Sequence, residues 1–169
     1  MNQEAIIAEL RMRNVACHFE YPGFIAMYPR EGVALNVSEM NGETIEIQVA
    51  DKDGELIDVV PSSIPTGCED VMRVADFLAC AFTRWTRAAE IAKTIIAEVL
   101  RNPEWLAARS FSELHDHCDA NMLGEQEAFL LSCGWTGQDV AKDAEALAAS
   151  TDVLNDAQTI VGHWLAARK

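Results

Sequence analysis

Three glycine-closed tripeptides, Arg30-Glu31-Gly32, Met40-Asn41-Gly42 and Lys52-Asp53-Gly54, constrain this chain more than any other feature in it. Each separates segments whose apolar residues alternate with a period of two, the pattern of half-buried strands. A three-residue hairpin loop is a type I turn closed by a left-handed residue, and glycine takes that position at no steric cost. The turns then predict Met27 opposite Leu35 and Ile25 opposite Val37, Val37 opposite Ile45 and Leu35 opposite Ile47, and Val49 opposite Ile57 and Ile47 opposite Val59. All these pairings agree on one apolar face: Ile25, Met27, Val33, Leu35, Val37, Ile45, Ile47, Val49, Ile57 and Val59. A two-residue turn at Asn41-Gly42 would instead set Ile45 and Ile47 against Ser38 and Asn36 and mix polarity across the pair.

The expected strands are 15–20, 24–29, 33–39, 43–50 and 55–60. Tyr21-Pro22-Gly23 breaks the pattern, because proline is disfavoured at the second central position of a type I turn; Pro22-Gly23 reads as a type II turn instead. The face opposite the apolar one carries Asn36, Ser38, Thr44, Glu46, Gln48 and Asp58, together with Phe24, Ala26 and Tyr28.

Helices flank this sheet. Residues 3–12 have helical spacing at Ile6 and Leu10, with Asn14 as a stop. Thr66-Gly67-Cys68-Glu69 has the form of a capping box and predicts a helix from 67 to about 101, ended by Asn102-Pro103. Its stripe runs Val71, Val74, Ala75, Leu78, Ala81, Phe82, Trp85, Ala88, Ala89, Ala92, Ile95, Ile96 and Val99. That is broader than a coiled-coil seam and calls for burial in a globular core, or partly against a second copy of the chain. Ser110-Phe111-Ser112-Glu113 predicts another capped helix, and further helices are expected over 136–150 and, opened by Thr151, over 151–167.

The fold class is therefore α+β: an N-terminal helix, an antiparallel meander of four to five strands, a long central helix packed on the sheet, and a small C-terminal helical subdomain. The expected division is 1–102 and 103–169. This order of elements resembles the general plan of bacterial secretion chaperones. The resemblance implies binding of an extended polypeptide, at a sheet edge or at the aromatic patch of Phe24 and Tyr28.

Charge narrows the function classes. Acids outnumber bases 27 to 13, a net charge of −14, which repels nucleic acid and anionic membranes and favours a basic protein partner. No direct nucleic-acid or membrane binding is expected, and no apolar run reaches the length of a membrane span. Five cysteines without a C-x-x-C pair, and no apolar signal core in the first residues, point to free thiols in the cytoplasm.

Phosphate-cradling and nucleophile-elbow motifs are absent, which favours a non-enzymatic interaction module. Its expected contacts are the acids Glu43, Glu46, Asp53 and Asp58 on the sheet and Asp116, Asp119, Asp139 and Asp143 in the C-terminal region. One specific version is a mimic of DNA phosphates, an accessory inhibitor of phage or plasmid type. The rival reading is a metal-binding protein or metal-dependent enzyme using zinc at His115, His117 and Asp119, completed by Cys133 or His163.

Overall fold

The computed structural model describes residues 2–20, 24–30, 32–40, 43–119 and 144–168, and of residues 24, 30, 39, 40, 117–119 and 144–151 only the backbone. Its elements are α1 (Gln3–Met12), β1 (Cys17–Glu20), β2 (Phe24–Arg30), β3 (Val33–Met40), β4 (Thr44–Asp51), β5 (Leu56–Pro65), α2 (Val71–Arg101), a short 3-10 helix (Pro103–Ala107), α3 (Phe111–Asp119) and α4 (Ala144–Ala167). The strands form one antiparallel sheet in the order β1-β2-β3-β4-β5, each paired with its neighbours in sequence. The α+β expectation stands. The chain divides into two compact units, Met1–Thr86 and Arg87–Lys169, with the boundary inside α2.

In the first unit α1 starts where Asn2 accepts a hydrogen bond from the Ala5 amide at 3.2 Å. It stops at Asn14, whose φ of 59° is the left-handed value that terminates helices. Ile6, Ile7 and Leu10 are its buried residues. The buried sheet residues on the expected apolar face are Ile25, Met27, Val33, Leu35, Val37, Ile45, Ile47 and Val49. From α2 the unit buries Val74, Ala75, Leu78, Ala81 and Trp85. Each large side chain fully removed from water contributes about 1.5–3 kcal/mol. Arg13 ties α1 to α2, reaching Glu9 at 2.8 Å and Asp76 at 2.9 Å.

The turns behave unequally. Gly32 and Gly54 have φ of 91° and 84°, as glycine-closed loops require. Met27 lies opposite Leu35 as expected, and a bulge between Met27 and Arg30 takes up Pro29, which has no N–H for the ladder. The β3–β4 register differs: Val37 pairs with Ile47 and Leu35 with Val49, a slide of two residues from the expected pairing. Polarity cannot tell these registers apart, because a slide of two returns every side chain to its own face. Residues 41–42 lie outside the described ones, as do 21–23, where the type II turn was expected. The strands beside 21–23 pair with Glu20 opposite Phe24.

β5 departs further. Near its turn Ala50 faces Leu56, but beyond it Val49 faces Asp58, Gln48 faces Val59 and Ile47 faces Val60. Ile57 is the extra residue of a bulge. A slip of one residue exchanges the two faces, so Val59 leaves the apolar face and Asp58 joins it. A second irregularity follows, where the Ser62 hydroxyl donates to the Ile45 carbonyl at 2.6 Å and accepts from the Ile64 amide at 3.1 Å. Pro61 sits in the same stretch, and the strand continues to Pro65 rather than ending near 60.

That continuation moves the start of α2. The helix begins at Val71, and its cap is Asp70, whose carboxylate accepts from the Arg73 amide at 3.1 Å. Thr66 and Cys68 are used in the turn that leaves β5, where Thr66 donates its amide to the Glu43 carbonyl and Cys68 to the Pro65 carbonyl. The helix ends at Arg101 as expected, with the Asn102 side chain donating to the Glu98 carbonyl at 2.9 Å. At about 1.5 Å per residue its 31 residues span about 46 Å.

The second unit buries Ala88, Ala89, Ala92, Ile95 and Val99 from α2, with Ala108, Leu114, Ala157, Ile160, Val161 and Leu165. The cap at Ser110 forms, its hydroxyl accepting from the Glu113 amide at 3.1 Å, while the Glu113 carboxylate reaches back to the Arg109 amide at 2.8 Å. α4 is continuous through 150–151, where two helices were expected. Neither proline nor glycine interrupts Ala149-Ser150-Thr151-Asp152. Ser and Thr can sit within a helix by pointing to solvent or bonding back to a carbonyl of the preceding turn.

Candidate functional site

The sheet face opposite the core is built by alternation. His18 lies opposite Ala26, Ala26 opposite Asn36, Asn36 opposite Gln48, and Ser38 opposite Glu46. Directly opposed residues in an antiparallel pair share a face. Among the described residues, two polar clusters stand on it.

The first is centred on Glu46, which is only 9% exposed. Its Oε1 accepts from the Ser38 hydroxyl at 3.0 Å and from the Gln48 amide nitrogen at 3.3 Å. Ser38 is its cross-strand partner and Gln48 lies two residues along the same strand, so strand geometry alone brings the three together. Glu46 is thus an internal acceptor rather than part of an open acidic surface.

The second cluster is exposed. Tyr28 lies diagonally across from His18, and their rings stack at 5.1 Å between centroids and 17° between planes. The Tyr28 hydroxyl donates to Glu20 Oε1 at 3.0 Å, and His18 Nε2 meets the same oxygen at 3.1 Å. A carboxylate has no hydrogen to give, so Nε2 carries the proton in this contact. Burial pushes the Tyr28 phenol above its ordinary value, and the hydrogen bond to Glu20 and the charge of Glu20 push the same way. Phe24 lies opposite Glu20 in the register. Cys17 stands on the other face, opposite Met27, and its thiol is pushed up by burial.

The other acids expected as contacts, on the sheet and in the C-terminal region, are placed as follows. Glu43 is exposed in the turn just before β4. Asp53 is exposed at the β4–β5 turn and paired with Lys52. Asp58 is half-buried, its carboxylate accepting from the Val59 amide at 2.8 Å. Asp116 is exposed on α3, while Asp119 is described by its backbone alone, and Asp139 and Asp143 lie outside the described residues.

Among the proposed zinc ligands, His115 is exposed on α3 and His117 is described only by backbone; Cys133 is outside the described residues. Among the described residues no group of three or more His, Cys, Asp or Glu side chains is gathered as a metal site requires. No helix among them is long and apolar enough to cross a membrane.

Of the aromatic patch, Tyr28 is 41% exposed. The partners that complete its cluster, His18 and Glu20, were not singled out as binding residues from sequence. The signal was present: positions 18 and 20 share a strand face, and the register places that face beside Tyr28. No protein-family model, curated protein or solved structure matches the chain.

Proposed function

We propose that the chain is a non-enzymatic interaction module that binds a protein partner with a basic surface. The observation that carries this reading is the charge of −14 together with how the bases are used. Arg13 pairs with Glu9 and Asp76, Lys52 with Asp53 and Arg101 with Glu98. Glu4, Glu43, Glu55, Glu69, Glu104 and Asp116 stand exposed. Several cations are therefore offset within the chain, while acids on both units face solvent and set the field that a partner meets. In its most specific form the partner is a nucleic-acid-binding protein whose site accepts these carboxylates in place of phosphates.

The test is capture on immobilised protein with stepwise salt elution. Retained proteins should be basic and should leave as salt approaches ~1 M, where the Debye length falls to about 3 Å. The combined variant Glu43→Gln, Asp53→Asn and Glu55→Gln should retain less of them. Retention of neutral or acidic proteins, or binding indifferent to salt, would overturn the proposal.

A further inference from the structure

We infer that His18, Tyr28 and Glu20 form a receptor for an arginine side chain of the basic partner. This rests on the proposed function above and names the chemistry by which one residue of that partner is held. A guanidinium is planar, weakly hydrated and rich in donors; it stacks on aromatic faces and bonds to carboxylates. An ammonium is a strongly hydrated point charge and gains less from a ring face.

The cluster offers what a guanidinium uses. Two rings lie nearly parallel, and both are open to solvent, Tyr28 at 41% and the His18 side chain at 48%. The Glu20 carboxylate, with a side chain 39% exposed, is fixed at their edge. Both described hydrogen bonds to it fall on Oε1. These bonds also hold the carboxylate in place before any partner arrives, which lowers the ordering cost of binding. The site is in the first unit, on a strand pair whose register runs unbroken from Cys17↔Met27 to Glu20↔Phe24. Rigid strands of this kind place side chains more reproducibly than loops do.

The experiment titrates the intact chain with an oligo-arginine peptide and an oligo-lysine peptide of equal length. Binding is read by calorimetry and by the ring-proton signals of His18 and Tyr28. The arginine peptide should bind about two- to five-fold more tightly, the margin of an exposed cation–π contact, and should shift both rings. The variants Glu20→Gln and Tyr28→Leu, each checked for folding by circular dichroism, should weaken the arginine peptide more than the lysine peptide and bring the two level. Equal affinity for the two peptides with unmoved ring signals would overturn the receptor and leave the acidic-module reading standing. Failure of both peptides to bind would overturn both.

Discussion

Removing one hydroxyl, in Ser38→Ala, tests the internal position assigned to Glu46. The hydroxyl donates to Glu46 Oε1 at 3.0 Å; the remaining donor, Gln48 Nε2, is at 3.3 Å, beyond the usual range for a strong bond. Glu46 is 9% exposed, so water does not readily replace the lost donor. A hydrogen bond to a charged group contributes about 1.5–3 kcal/mol, against about 0.5–1.5 kcal/mol for a neutral pair. Ser38→Ala should therefore cost about 2 kcal/mol in the native background. In a Glu46→Gln background the same change should cost about 1 kcal/mol, because the acceptor is then neutral. Urea unfolding followed by circular dichroism reads the difference: a 2 kcal/mol loss moves the midpoint by about 1 M for an ordinary slope. The two backgrounds isolate the pair from general effects of the substitution. If Ser38→Ala costs the same in both, or nothing in either, the carboxylate is not held as described.

Other substitutions test the frame. Leu78→Ala, at a fully buried position of α2, should cost about 2–5 kcal/mol, whereas Leu100→Ala, on the same helix but 57% exposed, should stay within about 0.5 kcal/mol; thermal melts of both decide it. Gly54→Ala meets no atom within 4 Å but keeps a φ of 84°, so its loss of about 1–2 kcal/mol should be purely conformational. A stability equal to the native chain would show that the turn relaxes. Burial raises the Cys17 thiol pKa, so its alkylation should accelerate only at a higher pH than an ordinary thiol's. A pH–rate profile matching that of a small thiol would refute this.

What could be read from sequence follows the strength of the local signal. α1 and the end of α2 at Asn102 were legible because a left-handed asparagine and an Asn-Pro pair punctuate the chain regardless of tertiary context. The turn at Gly54 was legible for the same reason; at Gly32 the glycine was legible but the loop length was not, since Arg30, expected in the loop, pairs with Val33 in the ladder. The β3–β4 register was not, since the observed and expected pairings bury the same residues. The bulge at Ile57 left no signal, because Val59 and Val60 are both apolar and either suits a core. Thr66 and Asp70 are both good caps, and only the added length of β5 chooses between them. The exposed cluster needed the register: His18 and Tyr28 are 10 positions apart, and only the β1–β2 pairing makes them neighbours.

The strictly sequential strand order has a consequence for how the molecule is made. Every strand pair in the sheet is a hairpin between adjacent segments, so none of them waits on a long loop to close. Contacts of such short sequence separation form early and fast. The whole meander precedes α2 in the chain, while Val74, Ala75, Leu78, Ala81 and Trp85 of α2 complete the buried set of that unit. During synthesis the sheet can thus be hydrogen-bonded while its apolar side still lacks the helix. In that interval an irregular β5, with its bulge and its two prolines, deters a second chain from extending the sheet at that edge.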